Sequence, residues 1–157
     1  MGAAARGARR TARAKDGSLT QEQIIHIAAF RRELRSFLRH TEDVARRWQL
    51  TPQRFLLLLV IKGAPSGSER LSLTEIANSL YLSRNSVTEL CARAEEVGLV
   101  YREQSDADLR VVYVGLTREG ERRLCGALLE NEEYRTEVTE AFAELAASFR
   151  ATSRGRG

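Results

Sequence analysis

Leu71 to Arg102 reads LSLTEIANSLYLSRNSVTELCARAEEVGLVYR, and the punctuation of this stretch decides the fold. Ser72-Leu73-Thr74-Glu75 has the form of a capping box, in which the serine hydroxyl and the glutamate carboxylate each satisfy a backbone N–H left over at a helix start. The helix it opens should bury Ile76, Ala77 and Leu80. Tyr81-Leu82 makes a tight turn, and Ser83 caps a second helix whose inward positions are Val87, Leu90, Cys91, Ala94 and Val97. Two short helices joined by a few residues are the geometry of a helix-turn-helix.

Downstream, Gly98 stands where a left-handed helix end is wanted. Val100 to Gln104 and Val111 to Leu116 then read as two strands joined by a loop at 105–110, which makes a wing. Thr117 is expected to cap a helix through Leu129, and Asn131 a last helix carrying Tyr134, Val138, Phe142, Leu145 and Phe149. Upstream, Thr51-Pro52 is a helix start with proline where its missing N–H costs nothing. The following QRFLLLLVIK is apolar on nearly every side and belongs at a domain centre, before Gly63 and the loop at 64–68 end it.

Between Thr20 and Trp48 the apolar residues Ile24, Ile27, Phe30, Leu34, Phe37, Leu38, Val44 and Trp48 recur at threes and fours, which predicts one long helix. Its stripe is too long for one small core to cover, and a helix from a second copy is a natural cover. The fold class is thus mainly α with a small β-hairpin wing (α+β), a winged helix-turn-helix at 50–117 flanked by helices at 18–49 and 118–151. Residues 18–151 form one domain, 1–17 a disordered basic arm and 152–157 a frayed tail.

The chain has 157 residues, 43% of them hydrophobic, enough to bury a core without metal or disulfide staples. No apolar run approaches the roughly 20 residues that span a bilayer, and the basic start is followed by no apolar segment, so neither a membrane helix nor a secretory signal is expected. Cys91 and Cys125 have no partner at metal-ligand spacing, so no metal and no cofactor are expected and a reducing cytoplasm fits best. The formal charge of +4 resides in the first sixteen residues, leaving 20 basic against 20 acidic groups in the rest. Residues 70–117 hold five arginines and seven carboxylates, so attraction to DNA by bulk charge is weak there. The two histidines, His26 and His40, share one helix, and no phosphate loop or nucleophile elbow occurs, which argues against an enzyme.

Three strings, LTPQRFLLLLVI (Leu50 to Ile61), Leu71 to Arg102 as quoted, and DLRVVYVGLTREG (Asp108 to Gly120), resemble the MarR family (multiple antibiotic resistance regulators) in order and spacing. The resemblance implies a sequence-specific double-stranded DNA-binding transcriptional regulator, a ligand-responsive repressor acting on a near-palindromic operator as a homodimer, with the flanking segments 18–49 and 118–151 as its dimerisation helices. By chemistry, Arg84, Asn85 and Ser86 suit base edges in the major groove, and Thr88 suits phosphate, with Ser83 at the helix start. Glu89 on the same face would repel phosphate but could accept from a cytosine amine.

The family's D-x-R wing pattern falls on Asp108 and Arg110, the aspartate fixing the loop and the arginine meeting the minor groove or phosphate, while a second basic residue common in the family is replaced by Leu109. Many relatives release DNA on binding a small aromatic or phenolic effector; His26, Phe30, Trp48, Arg54 and Phe55 are the residues to examine for such a site. Core packing is the competing reading for each of them, and for both cysteines. The alternative function is a winged-helix module that binds a protein without binding DNA.

Overall fold

A computed structural model describes residues 19–154, with side chains for all but Ser148, Phe149 and 151–154. Its elements are α1 (Gln21–Arg47), α2 (Pro52–Lys62), β1 (Arg70–Ser72), α3 (Leu73–Leu80), α4 (Arg84–Glu96), β2 (Val100–Gln104), β3 (Val112–Leu116), α5 (Arg118–Glu130) and α6 (Glu132–Arg154). The chain resolves into two compact units, one from 37–136 and one from the segments flanking it. The expected basic arm at 1–17 lies outside the described residues, as do 155–157; α6 runs to Arg154, inside the segment expected to fray.

Within 37–136 the core is organised by α2. Leu57, Leu58 and Ile61 are completely buried, and α2 meets α3, α4, α5, β1 and β3. Its start is fixed as the sequence predicts: Thr51 Oγ1 accepts from the Arg54 N–H at 3.2 Å, with Pro52 in the first turn. One face nevertheless remains open, where Leu56 is exposed.

The capping box of α3 is complete. The Ser72 N–H donates to Glu75 Oε2 at 2.8 Å, and the Glu75 N–H donates to Ser72 Oγ at 3.3 Å. These bonds hold the Glu75 carboxyl below its ordinary range, the contact with the Ser72 hydroxyl first among them. The turn then passes through Tyr81 in the left-handed region (φ 55°), and Ser83 Oγ accepts from the Ser86 N–H at 3.1 Å to start α4.

At its other end α4 buries Val87, Leu90, Cys91 and Ala94 as expected, but Val97 is exposed because the helix has already ended and Gly98 (φ 71°) reverses the chain. The Thr117 hydroxyl donates to the Gly98 carbonyl at 2.6 Å and accepts from the Gly120 N–H at 3.1 Å, so one side chain joins the end of α4 to the start of α5.

The sheet has three strands where two were read. β3 pairs antiparallel with β2, Tyr101 opposite Gly115, and on its other edge with β1, Leu71 opposite Val114. A three-residue strand has no alternation long enough to read, and its partner lies far along the chain.

Asn131 also departs from expectation. Its side chain does not cap α6: Nδ2 donates to Thr41 Oγ1 at 3.0 Å, and Oδ1 is buried without a hydrogen-bond partner among the described residues. Beside it, Tyr134 packs on Phe37 and His40, with ring centroids 6.2 and 4.3 Å away.

In the flanking unit, α1 begins with a second reciprocal cap. The Thr20 N–H donates to Gln23 Oε1 at 2.9 Å and the Gln23 N–H to Thr20 Oγ1 at 3.2 Å. Phe30 of α1 meets Phe142 of α6 edge-on, with centroids 4.6 Å apart, while Ile24 and Ile25 remain exposed.

A methyl added at Gly120 would stand 2.0 Å from the Leu99 carbonyl oxygen, a backbone atom that cannot swing aside. Gly120→Ala is therefore expected to lower stability by about 1–3 kcal/mol, read as a lower urea midpoint at unchanged slope. Burial pushes the Cys91 thiol up to about 11, whereas Cys125 is exposed. A disulfide thiol reagent should thus titrate one cysteine per chain in the native protein and the second only after unfolding.

Candidate nucleic-acid interface

The first turn of α4 is where sequence chemistry and exposure coincide. Ser83, Arg84, Asn85, Ser86, Thr88 and Glu89 are all exposed, while Val87 and Leu90 anchor the opposite side in the core. The helix therefore shows a polar face over its N-terminal half and keeps it there by burying the other. The positive end of the helix dipole adds to the attraction for anions.

The side chains on that face are not equally available. The Ser83 and Ser86 hydroxyls bond each other at 2.9 Å, and the Thr88 hydroxyl donates to the Arg84 carbonyl at 2.9 Å. A hydroxyl already donating inside its own helix is a poorer phosphate donor than the sequence suggests. Asn85, by contrast, has its amide without a partner among the described residues, leaving a donor and an acceptor side by side for an adenine edge. Glu89 is held by Arg93, whose Nη2 stands 3.1 Å from Oε2.

The wing is a stiffened turn. The Ser105 N–H donates to the Val111 carbonyl, the Val111 N–H to the Asp108 carbonyl, each at 2.9 Å, and the Gln104 side-chain amide donates to the Leu109 carbonyl. Asp108 Oδ1 accepts from the Arg110 N–H at 3.0 Å and from Arg110 Nε at 3.2 Å. The aspartate thus orients both the loop and the arginine, whose side chain is 91% exposed.

Most of the arginines in this region are taken up by neighbouring carboxylates. Arg70 bonds Glu103 at 3.1 Å, Arg93 bonds Glu89, and Arg102 Nε bonds Glu95 Oε2 at 2.7 Å. The last contact depresses the Glu95 carboxyl and raises the Arg102 guanidinium, chiefly through the hydrogen bond itself. Arg84 has no carboxylate within ion-pair distance among the described residues. It lines one recess with Arg110, bordered by Thr74 of α3 and by Val111 and Val112 of the wing. Sequence placed Arg84 with the base readers; the structure brings it together with Arg110.

The five residues considered for an effector are not brought together as a set. His26 and Phe30 line a recess of about 270 Å³ with Glu33, Phe142 and Leu145. Arg54 borders a different recess, its Nη2 donating to the Arg93 carbonyl at 3.3 Å. Phe55 is buried in the core, and Trp48 lies against Gly126 with its indole N–H donating to Glu130 at 2.7 Å. These last two have packing roles that account for them. Among the described residues no cluster of three metal-ligating side chains occurs, and no helix is long and apolar enough to cross a membrane. The residue that sequence missed at the reading face is Thr74, whose signal was a second hydroxyl inside the capping box.

The model of the MarR family matches residues 48–110, the stretch from α2 to the wing. The transcriptional regulator HosA of Escherichia coli is 36% identical over 105 residues, covering 64% of this chain and 72% of HosA. The homoprotocatechuate degradative operon repressor of Escherichia coli is 29% identical over 108 residues, covering 69% of this chain and 66% of the repressor. Among solved structures, Sco3205, a MarR family transcriptional regulator of Streptomyces coelicolor in complex with DNA, superposes with a TM-score of 0.65 at 21% identity, covering 91% of this chain and 92% of Sco3205. These relatives are transcriptional regulators and do not favour the reading as a protein-binding module without DNA. With the helix-turn-helix, the wing and the HosA likeness together, the chain belongs to the MarR family of winged-helix transcriptional regulators.

Proposed function

We propose that this regulator binds duplex DNA as a homodimer on a near-palindromic operator, laying α4 in the major groove and the wing against the flanking backbone. One observation carries the reading: α4 presents an exposed polar N-terminal half whose Arg84 shares a recess with the wing's Arg110. Asn85 and Ser86 are assigned to base edges, Arg84 and Arg110 to the backbone and groove edge, and Ser83 and Asp108 to holding the reading helix and the wing in place, while the Thr88 hydroxyl, bonded to the Arg84 carbonyl, is the weakest of the candidate phosphate donors.

Exposed Ile24 and Ile25 at the start of α1 support a second copy as partner. Two-fold symmetry would put the two α4 helices about one turn of DNA apart, roughly 34 Å. Repression is the mode favoured by a relative named as an operon repressor. A small aromatic effector would have its best berth beside His26 and Phe30, where aromatic and aliphatic side chains line a recess near the lower size limit of ligand pockets. Residues 6–15 supply five positive charges that would add sequence-independent attraction to phosphate.

The roles separate experimentally. Asn85→Ala should cost about 1–3 kcal/mol on the preferred duplex and flatten preference at one base position. Arg110→Ala should weaken all duplexes alike and reduce the slope of log affinity against log salt by about one unit. Fluorescence anisotropy on duplexes recovered from a random pool, and on their single-base variants, reads both. An Asn85→Ala protein with the wild-type ranking of duplexes would remove α4 as the reading element. Sedimentation equilibrium should give twice the chain mass, and a monomer at all accessible concentrations would contradict the two-fold site.

A further inference from the structure

The exposed side of α4 has a centre line, and the buried side defines it. Val87, Leu90, Cys91 and Ala94 face the core, and at 3.6 residues per turn the direction opposite them passes through Asn85 and Glu89, one turn apart. Arg84 and Thr88 lie to one side of that line and Ser86 to the other. A molecule meeting the middle of the helix therefore finds an amide and then a carboxylate.

That carboxylate is held from one side. Arg93, a further turn along, sets Nη2 3.1 Å from Glu89 Oε2 and donates from Nε to the Glu89 carbonyl at 3.4 Å. Arg54 of α2 in turn donates to the Arg93 carbonyl at 3.3 Å, which ties the backbone at Arg93 to the central helix. Glu89 Oε1 has no hydrogen-bond partner among the described residues. An exposed ion pair one turn apart adds little to a helix, so stability is a poor reason for an acid at the middle of this face.

We propose that Glu89 is a specificity-determining residue whose Oε1 accepts from the N4 amine of a cytosine, with Arg93 as the positioning residue that fixes the carboxylate, an assignment that rests on the DNA-binding reading and adds to it the identity of a base. An ionised carboxylate only accepts. In the major groove guanine presents two acceptors, thymine an acceptor and a methyl, and only adenine and cytosine present an amine. Adenine sets its N7 acceptor beside that amine and so repels the second carboxylate oxygen, whereas cytosine sets no acceptor there. Asn85 has the complementary preference, because its amide matches both groups of adenine. The two side chains start about 6 Å apart along the helix axis, or about two base-pair steps of 3.4 Å. Each half-site should thus pair an adenine with a cytosine about two steps away. Arg93 has a second effect: it offsets a charge that, alone, would repel the phosphates on either side of the groove.

The test measures fluorescence anisotropy of the full chain on the duplex recovered from a random pool and on its single-base variants. Changing one C·G pair should cost the wild type about tenfold or more in affinity, as loss of a hydrogen bond to a charged group implies, and cost Glu89→Ala little. The ranking at the adenine read by Asn85 should survive in Glu89→Ala, and Glu89→Gln should move the preference at the cytosine position towards adenine. Replacing that cytosine by 2-pyrimidinone, which lacks the amine, should weaken the wild type but not Glu89→Ala, so that the two changes are non-additive. Arg93→Gln should reduce the cytosine preference and Arg93→Lys restore part of it, with circular dichroism confirming that each variant folds. A cytosine preference intact in Glu89→Ala, or an equal loss on all duplexes, would overturn Glu89 as a reader while leaving DNA binding in place. A preference unchanged in Arg93→Gln would overturn the positioning role. A wild-type protein that ranks no duplex above another would contradict the DNA reading itself.

Discussion

Burial of α2 is the constraint on which the rest of the 37–136 unit depends. Leu57, Leu58 and Ile61 have no exposed surface, and burying each such side chain stabilises by about 1.5–3 kcal/mol. Because one helix provides the floor for α3, α4, α5 and the sheet, the positions of the reading helix and the wing are set from the same place. The polar face of α4 then follows by exclusion. With Val87, Leu90, Cys91 and Ala94 turned inward, residues 84–86 and 88–89 can only face outward.

Caps convert that packing into defined geometry. Thr51, Ser72, Ser83 and Thr117 each satisfy an amide at a helix start, and each stands where the chain changes direction. Thr117 additionally reaches the Gly98 carbonyl, so the strands of the wing leave and return beside the end of α4. Charge is managed in the same economical way. Most acids of the region are paired with arginines on the same surface, so a segment that is net negative by count still leaves Arg84 without an acidic partner and Arg110 almost fully exposed.

These features differ in how far they could be read from sequence. The four caps, the apolar α2 and the Gly98 reversal are local, fixed by residue type within a few positions, and they were legible. What was not legible depends on distant partners. β1 exists only because β3 lies beside it, and Asn131 turns to Thr41 because that hydroxyl lies within reach, not because of its own neighbours. Val97 follows the helical period of α4 but falls where the helix has ended.

The site shows the same division. The exposed residues of α4 and the Asp108–Arg110 brace follow from motif and spacing, whereas the meeting of Arg84 with Arg110 requires the fold. Thr88 looked like a free hydroxyl and proved to be bonded to its own helix. Of the effector candidates, Phe55 and Trp48 are explained by packing, and only His26 and Phe30 share a recess.

The central claim is that α4 and the wing form one surface against DNA, and backbone-amide mapping tests it most directly. On adding duplex DNA at low ionic strength to isotope-labelled full chain, the largest shifts should fall on residues 83–89 and 105–111, with little change at the buried positions of α2. Shifts confined to α1 and α6, or none at saturating duplex, would contradict the account.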